Sequence, residues 1–125
     1  MTQPKTAATP VKKPVHFQPK GWGHEVWIHN DFRYCGKILV VKKNKKCSLH
    51  FHKKKHETFY VQSGRVHMRL RHPDGREEEF EMKVGDVLEI APGLAHQFRG
   101  IEDSEIMEFS TEHFEDDSYR IEQGD

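Results

Sequence analysis

Cysteine is scarce in this chain: only Cys35 and Cys47 occur in 125 residues. Two such residues make no disulfide framework, so a reducing compartment, the cytoplasm, is expected. Long apolar runs are missing as well. None approaches the ~20 residues that span a bilayer, and residues 1–20 lack the hydrophobic region of a signal peptide, so no membrane partner is expected. Net charge is also absent, with 20 Lys+Arg against 20 Asp+Glu. That balance hides an asymmetry: residues 1–72 carry 16 Lys+Arg and 3 Asp+Glu, and residues 73–125 carry 4 and 17. A basic half can mark a nucleic-acid face. Strands interleaved in one barrel would neutralise the two halves, so no nucleic-acid partner is expected. Hydrophobic residues are few, at 34%, which suits short alternating strands better than helices buried on all sides. The length fits one domain with a core that needs no staples.

Taken in order, residues 1–20 hold Pro4, Pro10, Pro14 and Pro19 and almost no periodic apolar pattern. They read as a flexible or extended arm, with a segment near Val15–Phe17 able to join a sheet edge. The folded domain is expected over 21–125. Trp22 and Trp27 flank a Gly-His-Glu turn, as packing anchors or, for Trp22, as the wall of a pocket mouth. Tyr34–Lys43 is a strong strand signal in which Cys35, Lys37, Leu39 and Val41 share a face. Asn44 sits in a turn, where Asn tolerates the left-handed conformation. The lysine runs 42–46 and 53–55 read as solvated tips that protect strand ends. Further strands are expected over Glu57–Gln62, Arg65–His72, Arg76–Lys83, Val87–Ile90, from His96, and over Asp103–Thr111. Ser63-Gly64 is a hairpin signal. Short strands with turns every ~8–12 residues argue for an all-β sandwich or barrel.

What the chain has in abundance is histidine, with ten residues. His50, His52, His56 and Glu57 fall within eight positions. Residues two apart on a strand face the same way, so His50 and His52 present two imidazoles side by side. A polar turn at Lys53–Lys55 would return the chain as an antiparallel strand and bring Glu57 to that pair. Two imidazoles and a carboxylate suit a borderline divalent transition metal. His56, next to Glu57, points the other way.

These residues resemble the cupin superfamily. His50-x-His52, four residues, Glu57, six residues and Gly64 follow the first cupin motif, with Asn44 at the place of its first glycine. Gly85, Gly93 and His96 follow the second, with Ala91 and Gly100 replacing its usual Pro and Asn. Within the superfamily the chain looks most like small cupins related to the C-terminal domain of type II mannose-6-phosphate isomerases. The features in common are Trp22-Gly23-His24-Glu25, the strand with Lys37, the run Ser48, Leu49, His52, and the tail from Phe114 to Arg120. The resemblance implies an all-β jelly-roll barrel in which His50, His52, Glu57 and His96 bind one divalent ion (Zn, Mn, Fe, Ni or Co), and it implies a homodimer.

Such an ion can polarise a carbonyl or hydroxyl. Three functions are therefore in play. The first is a sugar or sugar-phosphate isomerase or epimerase, with Lys37 as general base or anion contact and Arg120 contacting a phosphate or carboxylate through its guanidinium fork. The second is a non-haem Fe(II) dioxygenase, and the third is a sugar-binding or sensory cupin without turnover.

Overall fold

The computed structural model describes residues 9–125, and every described element is a β-strand or a turn. The expected all-β architecture is what the chain adopts. No helix among the described residues is long and apolar enough to cross a membrane. The strands are β1 (His16–Lys20), β2 (Gly23–Asn30), β3 (Cys35–Val41), β4 (Leu49–Phe51), β5 (Glu57–Ser63), β6 (Arg65–Arg71), β7 (Glu77–Lys83), β8 (Val87–Ile90), β9 (Ala95–Gly100), β10 (Ser104–Ser110) and β11 (Tyr119–Glu122). They form two antiparallel sheets, ordered β1-β2-β3-β10-β5-β8 and β11-β4-β9-β6-β7. The arm expected over residues 1–20 falls partly outside the described residues, at 1–8; its last part is β1, which lies at a sheet edge on the chain's own β2.

Alternation sets the faces. In β3, Cys35, Lys37, Leu39 and Val41 are buried, and the residues between them are half-exposed. Strand β5 repeats the pattern with Glu57, Phe59 and Val61 inside. Leu39, Val41, Phe59, Val61, Ile106 and Ile90 from the six-stranded sheet meet Val66, Met68, Leu70 and Phe98 from the other, closing a core between the sheets. Burial of these side chains contributes about 1.5–3 kcal/mol each before the entropy cost of ordering them.

Connectivity departs from the local reading in one respect that decides the site. After β3 the chain alternates between sheets at every connection except the β6–β7 hairpin. Strands β4 and β5, expected to form a hairpin, lie in different sheets, and so do β5 and β6. Ser63-Gly64 is a corner. Gly64 has φ 80°, and a Cβ there would stand 2.4 Å from the Asp103 carbonyl oxygen. Only glycine fits that approach. Asn44 takes the left-handed conformation, at φ 66°. Its amide donates to the Gly100 carbonyl at 2.8 Å, tying the first crossing to β9.

Candidate metal centre

Three imidazoles converge, two from neighbouring strands of the five-stranded sheet and one from just past the end of β4. His50 in β4 pairs in register with His96 in β9, and His52 follows two residues after His50. Ring centroids lie 5.1 Å (His50–His52), 4.6 Å (His50–His96) and 5.6 Å (His52–His96) apart. One ring nitrogen from each falls within 4.8 Å of the other two, and the three could hold a metal ion.

The hydrogen bonds select which nitrogen. His50 Nδ1 lies 2.9 Å from the Ser48 carbonyl, His52 Nδ1 2.7 Å from the Asp117 carbonyl, and His96 Nδ1 2.9 Å from the Leu94 carbonyl. A carbonyl only accepts, so each Nδ1 carries its proton and donates, leaving Nε2 to the cavity. Backbone carbonyls thus orient all three rings in the way that outer-shell partners orient metal-binding histidines. Burial pushes the His50 imidazole down to about 3. It also lowers His52. Both rings are neutral at pH 7, as a metal ligand must be.

Glu57 arrives from the opposite sheet. It is 2% exposed, with Oε1 2.9 Å from His96 Nε2 and Oε2 3.6 Å from His52 Nε2. Glu57 Oε2 and His96 Nε2 are buried without a hydrogen-bond partner. An unprotonated Nε2 facing a carboxylate oxygen sets two lone pairs against each other, so a cation must offset them: a second proton on His96, or a metal. Burial opposes the charge on Glu57, but His96, Lys55 and His52 outweigh it and hold the carboxyl well below its usual range. For His96 burial acts downward and Glu57 overcomes it, so the imidazole is raised. The donor set of three imidazoles and one carboxylate, with orphaned polar atoms aimed inward, fits a divalent transition ion.

Facing the histidines is a polar floor on the six-stranded sheet. Register places Trp27, Lys37, Glu108 and Phe59 in one row across β2, β3, β10 and β5, and Cys35, Ser110 and Glu57 in the next. Lys37 is 1% exposed. Its Nζ lies 3.3 Å from Glu25 Oε1 and 4.2 Å from the centroid of the Trp27 ring. Lys55, read from the sequence as a solvated tip, is instead buried, with Nζ 3.0 Å from Glu108 Oε2 and 3.6 Å from Glu57 Oε2. Ser110 Oγ donates to the same Glu108 oxygen at 2.9 Å. The reason is charge: two buried carboxylates draw the amine inward against the cost of desolvation.

The floor, with His50 and His52, lines a cavity of about 570 Å³. Trp22 lines it while packing edge-to-face on Phe98 at 4.9 Å, so packing anchor and wall are one role. Arg120 in β11 is exposed, pairs in register with His50 and lines the cavity too. His56 is exposed and points outward to Glu89, 3.5 Å away. The local pattern missed Lys55, Glu108 and Asp117. Only Glu108 carried a signal, since an inward Ile106 puts residue 108 on the same face. The other two are positioned by partners distant in sequence.

Residues 37–111, more than half of the chain, match the model of the cupin domain family. No curated protein matches the sequence. Among solved structures, the capsular polysaccharide assembling protein CapF from Staphylococcus aureus is similar at 22% identity and TM-score 0.77, over 89% of this chain and 35% of that one. An oxalate decarboxylase variant from Bacillus subtilis, an enzyme with Mn(II) centres, is similar at 17% identity and TM-score 0.78, over 94% and 35%. Oxalate decarboxylase from Lactobacillus farciminis, in complex with formate, is similar at 17% identity and TM-score 0.76, over 94% and 39%. The chain therefore spans little more than a third of the structures it matches, and at these identities the likeness is one of fold. With the fold, the histidine geometry and the family match in agreement, the chain belongs to the cupin domain family.

Proposed function

We propose that this cupin is a metal-dependent isomerase or epimerase acting on a sugar or sugar phosphate, as its resemblance to mannose-6-phosphate isomerase C-terminal domains suggests. The observation that carries the reading is a buried amine, Lys37, in the same cavity as Glu57 and two of the three converging imidazoles, His50 and His52. His50, His52, His96 and Glu57 would hold the ion, and Zn, Mn, Fe, Ni and Co all suit that set. A bound divalent metal would act as a Lewis acid on a substrate carbonyl or hydroxyl.

The remaining work falls to the chain. Lys37 Nζ passes its own proton to Glu25, 3.3 Å away; the neutral amine then takes a proton from one substrate carbon and returns it to the neighbouring one. Trp22, Phe59 and Phe98 wall the cavity and limit water. Arg120, exposed at the rim, contacts a phosphate or carboxylate on the far end of the substrate. The buried, unpaired Cys35 and Cys47 suit a cytoplasmic protein, and a homodimer is part of the same reading.

The test is the metal content of protein purified without a His tag, followed by a sugar-phosphate panel in D₂O read by NMR. Metal uptake with deuterium entering at a carbon next to the carbonyl, abolished in Lys37→Met with metal retained, supports the proposal. Deuterium incorporation unchanged in Lys37→Met removes Lys37 from the chemistry. Metal and sugar binding without exchange across the panel overturns the enzymatic reading.

A further inference from the structure

Asp117 is 1% exposed and lies in the tail between β10 and β11, far in sequence from the residues it touches. Its carboxylate accepts from three consecutive backbone amides: Lys53 at 2.9 Å, Lys54 at 3.1 and 3.2 Å, and Lys55 at 3.0 Å. Its own carbonyl accepts the His52 Nδ1 proton at 2.7 Å, and its amide donates to the Phe114 carbonyl at 3.0 Å. Residues 52–56 are the crossing that leaves β4 in one sheet and delivers Glu57 to β5 in the other.

From these contacts we infer that Asp117 is a positioning residue of the metal centre, orienting His52 with its backbone and placing the crossing to Glu57 with its side chain. The inference rests on the metal-binding reading above. One residue thereby fixes a ligand at each end of the crossing, and the separation between His52 and Glu57 follows from it. A carboxylate suits this place because both of its oxygens accept. An asparagine would turn an NH₂ toward one or more amides, leaving buried N–H groups unpaired. Losing an outer-shell partner of this kind weakens metal affinity by about 10–100-fold.

The coupling is reciprocal: if the crossing favours metal, metal must stabilise the crossing. In the wild-type chain, Zn²⁺ loading should slow hydrogen exchange of the Lys53, Lys54 and Lys55 amides by about tenfold or more beyond any change in global stability. Asp117→Asn should bind Zn²⁺ about 10–100-fold more weakly in competition with a chromophoric chelator, and the absorption spectrum of its Co²⁺ form should shift as His52 is released. An Asp117→Asn protein with Zn²⁺ affinity within about twofold of wild type and the same Co²⁺ spectrum overturns the inference, whatever its melting temperature. Exchange at Lys53–Lys55 that ignores Zn²⁺ overturns it too, even if the variant does not fold. Wild-type protein that takes up neither ion refutes the metal reading itself, and the role of Asp117 with it.

Discussion

Replacing Lys55 by methionine removes the cation at the centre of the floor while keeping the length of the side chain. In the native chain its ammonium stands 3.0 Å from Glu108 and 3.6 Å from Glu57, and all three side chains are at most 5% exposed. At an effective dielectric of ~20 each contact is worth about 5 kcal/mol of gross attraction. Desolvating the ammonium offsets several kcal/mol of that sum. Burial by itself would lower the Lys55 pKa, yet Glu108 and Glu57 outweigh it and raise it, so the amine stays charged. Without Lys55, the buried carboxyls of Glu108 and Glu57 lose the cation between them. Breaking a buried pair in this way costs about 3–5 kcal/mol. For a domain of this size that corresponds to a fall in Tm of roughly 12–20 °C, at ~4 °C per kcal/mol.

The assay is urea unfolding of metal-free protein at pH 5 and pH 8. Burial, and then the charge of Glu57, already raise Glu108 above its ordinary 4.5 while Lys55 opposes them; without Lys55 it rises further. A raised carboxyl gives stability that is present at low pH and lost as pH rises through the folded value, so the penalty should be smaller at pH 5 than at pH 8. The double variant Lys55→Met, Glu108→Gln should recover most of the loss, because no charge is stranded. A loss under ~1 kcal/mol, against the ~3–5 expected, or a double variant no more stable than the single one, refutes the reasoning.

Acid should destabilise the metal-free protein through His50. Its imidazole is held near 3 by burial against an ordinary 6.5. Stability from this group is complete above pH 6.5 and is lost as pH falls toward 3, at about 1.4 kcal/mol per pH unit, and His50→Gln should reduce the acid slope of urea stability by about that amount. An unchanged slope would show that the ring takes up protons in the folded state. His96, raised by Glu57 against burial, acts in the opposite sense and loses stability above pH 6.5, so the urea midpoint should peak near neutrality. Trp22→Ala should cost about 3–5 kcal/mol, read by urea unfolding, since Trp22 is 6% exposed and packs on Phe98. A loss below ~1 kcal/mol would mean that the wall collapses onto the gap without lasting cost.

Much of the barrel was legible along the chain because a strand's period of two is a local property. Alternation in Tyr34–Lys43 put Cys35, Lys37, Leu39 and Val41 on one face, which the structure shows to be the inward one, and turn chemistry placed Asn44 where the left-handed conformation is needed. Spacing brought His50, His52 and Glu57 together as candidate donors, and the resemblance to cupin motifs added His96. Pairing was not legible. A two-residue period says which face a side chain takes and nothing of which strand lies beside it, so the apparent hairpins at Lys53–Lys55 and Ser63-Gly64 are in fact crossings between sheets.

The physical consequence is largest for charge. By local composition Lys55 belongs in water and Asp117 in a polar tail. Each is buried by partners that only the closed barrel supplies: Glu108, 53 positions from Lys55, and the amides of Lys53–Lys55, 62–64 positions from Asp117. Sequence alone determined the all-β class, which residues share a strand face and the candidate donors His50, His52 and Glu57, which follow from short-range periodicity and residue chemistry; the motif resemblance added His96 and the jelly-roll barrel. Tertiary structure alone decided that His50 and His96 stand on one sheet, with His52 just past the end of β4, and Glu57 on the other, with a buried ion network behind them. Those contacts form only where long-range pairing removes water and leaves charged groups no partners except one another.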